Sequence, residues 1–192
     1  MADSSITKKA LAAAMKELMQ ERPFGKIRVE DICAKCEMNR KSFYYHFKDK
    51  YDLINWIFDT EFMDAAEAEK DDGLMMLKKL CQYLYENRRF YIKAMEIQGQ
   101  NSFMEHFEER TRPFIRKRIQ LTGCVPEERT GKEVSGEEIH EFYEDVFADM
   151  LIDMVERWMQ KKSDMEPEKL FYLVYSMEKS LISVMKERGL DA

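Results

Sequence analysis

Apolar residues recur three and four positions apart along most of the chain, the spacing of one helix face, and strand-like alternation does not persist in any segment. Ile6, Ala10, Leu11, Ala14 and Leu18 predict a helix over 6–20, with Ser4 or Ser5 able to cap its start and Arg22-Pro23-Phe24-Gly25 ending it. Val29, Ile32, Cys33 and Cys36 predict a short second helix, with Glu30 and Asp31 in its first turn, where the helix dipole favours acids. Glu37-Met38-Asn39 reads as a tight turn. Asn39 is then the N-cap of a third helix over 40–47, and Asp49 the cap of a fourth that begins near Tyr51 and reaches about Lys70.

After a break at Asp71-Asp72-Gly73, the spacing predicts helices over 74–87, 90–97 and 103–107, then one with Pro113 near its start that reaches about Leu121. The stretch 122–136 holds Gly123, Pro126, Gly131 and Gly136 among charged residues and reads as a loop. Two long helices follow, over 137–162 and from Glu166 or Pro167 to about Gly189, with Pro167 suited to a first-turn position. The expected fold class is all-α.

Composition supports this reading, since 192 residues with only 7 Gly and 4 Pro leave few helix breakers, and 45% hydrophobic content supplies a core. No uncharged apolar run approaches the ~18–20 residues of a membrane span. The polar, charged start at Met1–Lys9 is not that of a secretory leader, so no membrane association and a cytoplasmic location are expected. Cys33, Cys36, Cys81 and Cys124 are then free thiols. A net charge of −6 argues against nucleic acid until it is resolved along the chain. Residues 1–56 carry 11 Lys+Arg and 8 Asp+Glu, a net of +3, which leaves −9 on the rest. A basic head on an acidic body fits a chain in which only the head meets phosphate.

The informative stretch is 27–54, IRVEDICAKCEMNRKSFYYHFKDKYDLI. Two short helices joined by a tight turn make a helix-turn-helix. In the second, Phe43 and Phe47 are four apart and can face inward. Arg40, Lys41, Ser42, Tyr44, Tyr45 and His46 remain for a major groove and its phosphates, with Lys48 and Lys50 at the helix's C-terminal end. The succession Val29-Glu30-Asp31-Ile32-Cys33, Asn39, Ser42, Tyr44, Phe47, Lys50 and Leu53 resembles the tetracycline-repressor (TetR) family of bacterial transcription regulators. The match covers about 50 residues. Ile6-Thr7-Lys8-Lys9 with Leu53-Ile54-Asn55-Trp56-Ile57-Phe58 is similar to that family's dihydroxyacetone-kinase-operon activator branch.

The resemblance implies an N-terminal three-helix DNA-binding domain, 1–50, and a helical effector-binding and dimerisation domain, 51–192. It implies a homodimer on double-stranded operator DNA, with operator affinity controlled by a small molecule or protein partner. By position, the DNA contacts are Arg28, Asn39, Arg40, Lys41, Ser42, Tyr44, Tyr45, His46 and Lys50. Of these, Tyr44 and Lys50 are expected on phosphate, and Lys41 or Arg40 at a guanine edge. Two positions depart from the family pattern. Glu37 stands at the turn glycine, where positive φ is usual, so it either carries strain of about 1 kcal/mol or sits in a different turn. Lys41 stands where the recognition helix usually has a second glycine.

In the body, the last two helices carry apolar stripes too wide for a surface helix. They are expected to form the dimer face through Met150, Met154, Trp158, Leu173, Met177, Leu181 and Val184, core packing being the alternative. Candidates for an effector pocket are Phe62, Met63, Tyr83, Tyr91, Met95, Phe103, Phe107, Phe114, Phe147 and Trp158, although aromatic and Met residues at helical spacing more often form plain core. Cys33 and Cys36 form a CxxC pair with no second pair for zinc and no βαβ setting for redox work. His46, His106 and His140 have no metal-ligand spacing. No phosphate loop or nucleophile elbow is present, so no enzyme activity, metal or cofactor is expected. A helical protein-interaction adaptor with a degenerate head is the alternative, supported by Glu37 and the net acidity.

Overall fold

The computed structural model describes residues 2–68, 73–122, 135–161 and 165–187, which are helical and contain no strand. The helices are α1 (Ala2–Glu21), α2 (Val29–Lys35), α3 (Arg40–His46), α4 (Lys50–Phe58), α5 (Asp64–Ala68), α6 (Leu74–Glu86), α7 (Arg88–Met95), α8 (Phe103–Thr122), α9 (Gly136–Gln160) and α10 (Pro167–Glu187). They form two compact units, one of residues 1–68 with 87–108 and the other of 69–86 with 109–192.

In the first unit α1 packs against α2, α4 and α7, and α2 against α3. Leu11, Met15, Ile32, Phe43, Leu53 and Ile54 close its core. Ile6 lies outside that core, 66% exposed, whereas Leu11, Ala14 and Leu18 face inward as expected, together with Met15 and Met19. The Lys93 ammonium donates to the Met19 carbonyl and ties α7 to the end of α1. The fourth helix is interrupted by a π-helical turn, Asp59–Met63. Residues five apart lie roughly 140° apart on an α-helix. The wider turn instead lets Phe58 and Met63, both 0% exposed, enter the core together.

In the second unit α6 packs against α10 and α9. Met76, Leu80 and Leu84 meet a core that includes Ala148, Ile152, Val155, Leu170 and Val174. Arg118 grips Glu178 with a two-pronged bond at 2.8 and 3.2 Å and so holds α8 to α10. Arg112 reaches Asp149 of α9 at 2.6 Å. Ser135 and Glu138 cap α9 reciprocally, the Ser135 N–H donating to the Glu138 carboxylate at 2.8 Å, which holds that carboxyl below its ordinary range.

One expectation is corrected. The helices expected at 103–107 and from Pro113 are a single helix, α8, with Pro113 inside it. An interior proline costs about 3 kcal/mol and one backbone bond. Phe103, Phe107 and Thr111 are buried before Pro113 and Ile119 after it, and burial on both sides offsets that cost. The loop expected over 122–136 lies mostly outside the described residues.

Candidate nucleic-acid interface

The turn between α2 and α3 is a two-bond helix C-cap. Met38 N–H donates to the Cys33 carbonyl at 2.8 Å and Glu37 N–H to the Ala34 carbonyl at 3.3 Å. Such a cap needs a left-handed residue, and Glu37 has φ 56°. The departure from glycine is therefore a strained residue in an unchanged turn. Glu37→Gly is expected to stabilise the protein by about 0.5–1 kcal/mol, since relief of left-handed strain exceeds the added entropy of the unfolded chain. Thermal unfolding should show a midpoint about 1–4 °C higher. A midpoint at or below that of the parent would show that Glu37 carries no strain.

Asn39 caps α3 as expected, its Oδ1 accepting from Ser42 N–H at 2.8 Å and from Ser42 Oγ at 3.2 Å. Phe43 is 0% and Phe47 3% exposed. Phe47 meets Trp56 edge-on at 5.7 Å, with the Lys8 ammonium 5.4 Å from one ring and 5.5 Å from the other. Asp49 caps α4 by accepting from Tyr51 and Asp52 N–H. With its start capped and the phenylalanines inside, α3 turns Lys41, Tyr44 and Tyr45 outward, Tyr45 being 82% exposed. His46 is half-buried beneath Tyr45, ring against ring at 4.9 Å.

The cations sort into two groups. The Arg28, Lys41 and Lys48 side chains are exposed and make no hydrogen bond or ion pair among the described residues. Lys50, expected on phosphate, is instead held inside. Its ammonium donates to the Phe24 carbonyl at 2.9 Å and the Ile27 carbonyl at 2.8 Å, and lies 4.0 Å from the Phe24 ring centre. Burial holds its pKa below the ordinary lysine range. Two of its three donors thus brace the start of α4 against the turn after α1. Arg40 is also engaged, 2.8 Å from Glu30 Oε1 and donating to the Tyr44 hydroxyl at 3.4 Å. Those partners raise its pKa, Tyr44 most.

Residues 10–57, which hold this capped helix-turn-helix, match the bacterial regulatory proteins of the tetR family, and residues 71–179 match the transcriptional regulator C-terminal region of that type. The chain belongs to the TetR family. It is a bacterial-type transcription regulator, as expected from the residues of α2 and α3. Among relatives of this TetR-family chain is the HTH-type dhaKLM operon transcriptional activator DhaS of Lactococcus lactis, 35% identical over 109 residues. The match spans 56% of this chain and 57% of that protein, a little over half of each. The solved structure of a dihydroxyacetone kinase operon activator DhaS has the same fold, with TM-score 0.63 and 24% identity over 93% of this chain and 97% of that one. NalD, the secondary repressor of the MexAB-OprM efflux pump in Pseudomonas aeruginosa, does too, with TM-score 0.60 and 18% identity over 93% and 96% of the two chains.

The ten residues considered for an effector pocket are divided between the units. Phe62, Met63, Tyr91, Met95, Phe103 and Phe107 are buried in the first unit, with the rings of Phe58, Phe103 and Phe107 5.5–5.9 Å apart. They form a close-packed aromatic core there. Tyr83, Phe114, Phe147 and Trp158 belong to the second unit. Trp158 stacks on Tyr85 at 6.1 Å and donates to the Met165 carbonyl at 3.0 Å. Five of the seven residues expected at a dimer face, Met150, Met154, Trp158, Leu173 and Met177, line one open groove of about 520 Å3 along α9 and α10. Leu181 and Val184 lie outside the described side chains. Among the described residues no cluster of His, Cys, Asp or Glu could hold a metal, and no helix is long and apolar enough to cross a membrane.

Proposed function

We propose that this TetR-family regulator binds operator DNA as a homodimer through α3, with residues 1–50 as the reading head and 51–192 as the effector-responsive and dimerising body. The observation that carries the reading is a short helix, capped at its start and anchored by Phe43 and Phe47, whose exposed face offers Lys41, Tyr44 and Tyr45. Arg28 and Lys48 add free positive charge beside it. Tyr44 donates to a phosphate and sets register, and Lys41 reaches the acceptors of a guanine edge. Asn39 and Ser42 are held in the cap and contribute mainly by shaping the helix start. His46 supports Tyr45. Lys50 acts by position, keeping α4 and the end of α3 in place.

An effector that binds the body shifts operator affinity only if it favours one of two head spacings. The DhaS and NalD precedents make activation and repression equally compatible with this architecture.

The test is enrichment of a duplex from a random-sequence pool by the full-length chain, followed by titration of that duplex and an unselected one at several salt concentrations. Tyr44→Ala should weaken both about tenfold, the loss of one bond to a charged acceptor. Lys41→Ala should weaken the selected duplex by about 1–3 kcal/mol and the unselected one much less. Equal losses on both duplexes for Lys41→Ala would remove it from the base-reading role. Failure to enrich any duplex would favour the protein-adaptor alternative.

A further inference from the structure

Glu30 is an acid on the face that carries the exposed side chains of α3, a location where its charge would oppose a phosphate backbone. It lies in the first turn of α2, more than half exposed, and its Oε1 is 2.8 Å from Arg40 Nη1. Arg40 is the first residue of α3, where a cation also runs against the helix dipole. Its other terminal nitrogen donates to the Tyr44 hydroxyl at 3.4 Å, and its guanidinium carbon lies 5.7 Å from the centre of the Tyr44 ring. Three residues on two helices therefore form a chain of contacts, Glu30 to Arg40 to Tyr44. Lys41, the next residue, has no partner among the described residues.

Arginine forks onto phosphate and guanine alike, so a free Arg40 at the start of a recognition helix would bind any duplex. We propose that Glu30 is a specificity-determining residue that holds Arg40 against Tyr44 and away from the duplex, leaving base reading to Lys41. Because Arg40 donates to the Tyr44 oxygen, the phenol proton stays free to point outward toward a phosphate. The pairing lowers indiscriminate attraction while it orients the phosphate donor. Discrimination is gained by weakening wrong partners as much as by strengthening the right one. This inference rests on the operator reading above.

The test compares wild type, Glu30→Gln, Arg40→Gln and the double variant on the selected and unselected duplexes across a salt series. All these side chains are more than half exposed, so no core packing is removed. Release of Arg40 in Glu30→Gln should add one phosphate contact, steepening the log affinity against log salt slope by about 0.9 and reducing the selected-to-unselected ratio roughly fivefold. In the Arg40→Gln background the same change should alter both quantities much less, by the lost repulsion of Glu30 alone. A merely structural role for Glu30 would leave the salt slope unchanged, and that result overturns the proposal. Equal gains in both backgrounds also overturn it, because Glu30 would then act by its own repulsion of phosphate. Absence of wild-type binding to any duplex would overturn the operator reading together with this one, whereas wild-type binding with an unaltered Glu30→Gln slope overturns this one alone.

Discussion

Phe43→Ala is expected to cost about 3–5 kcal/mol of stability and to abolish DNA binding before any contact residue is touched. The side chain is 0% exposed, with its ring 5.8 Å from Phe47 and 5.5 Å from Tyr44. α3 has seven residues, and a helix of two turns is not stable without tertiary packing. The Asn39 cap contributes about 1 kcal/mol, and Phe47 anchors only the end of the helix. Removing Phe43 leaves a cavity where α3 meets α1 and α2, and such a cavity cannot close without tilting the helix that presents Lys41 and Tyr44. Urea unfolding should register the loss, and Lys41→Ala, on the exposed side of the same helix, should leave the midpoint within about 0.5 kcal/mol of wild type. A Phe43→Ala protein within 1 kcal/mol of wild type that still binds the selected duplex would refute the anchoring role.

The difference between those two substitutions is the part of the site that is legible in the sequence. Phe43 and Phe47 are four apart, Asn39 and Asp49 are capping residues at the right places, and these short-range signals define α3 to within a residue. The Glu37 turn is legible only in part, because the family's glycine pattern leaves strain and a different turn both open until the φ of 56° decides between them. The roles of Lys50 and Arg40 are not legible. The Lys50 ammonium meets carbonyls 23 and 26 residues away, and Arg40 meets an acid ten residues back on another helix. No periodicity encodes such pairings, so a cation near the recognition helix reads as a phosphate ligand until its partners are known. The same limit applies to α8, where proline's local preference for a helix start is overridden by buried residues on both sides, and to the π turn after Phe58. The apolar stripes of α9 and α10 are legible as stripes, and the groove they line follows from their width.

That groove carries the second large effect. Met150→Asp with Leu173→Asp is expected to convert the protein to a monomer and to weaken binding to the selected duplex by 100-fold or more. Met150 is 37% and Leu173 52% exposed, both line the groove, and Val146, Phe142 and Tyr172 on the same two helices are also exposed. A twofold interface uses the same patch twice, so two substitutions place four carboxylates at one contact. Desolvating an unpaired carboxylate costs several kcal/mol, and four of them outweigh what a standard apolar interface supplies. Loss of the dimer then acts on DNA by mass action. Two heads held about 34–36 Å apart engage successive major grooves together, and linkage of two sites raises affinity by about 10²–10⁴ over one. Sedimentation equilibrium gives the mass and mobility shift the affinity, while far-UV circular dichroism checks that the helices persist, since neither residue is buried in the folded chain. A dimer that survives both substitutions would move the subunit contact off α9 and α10, and a monomer that retains full affinity would remove the need for two heads.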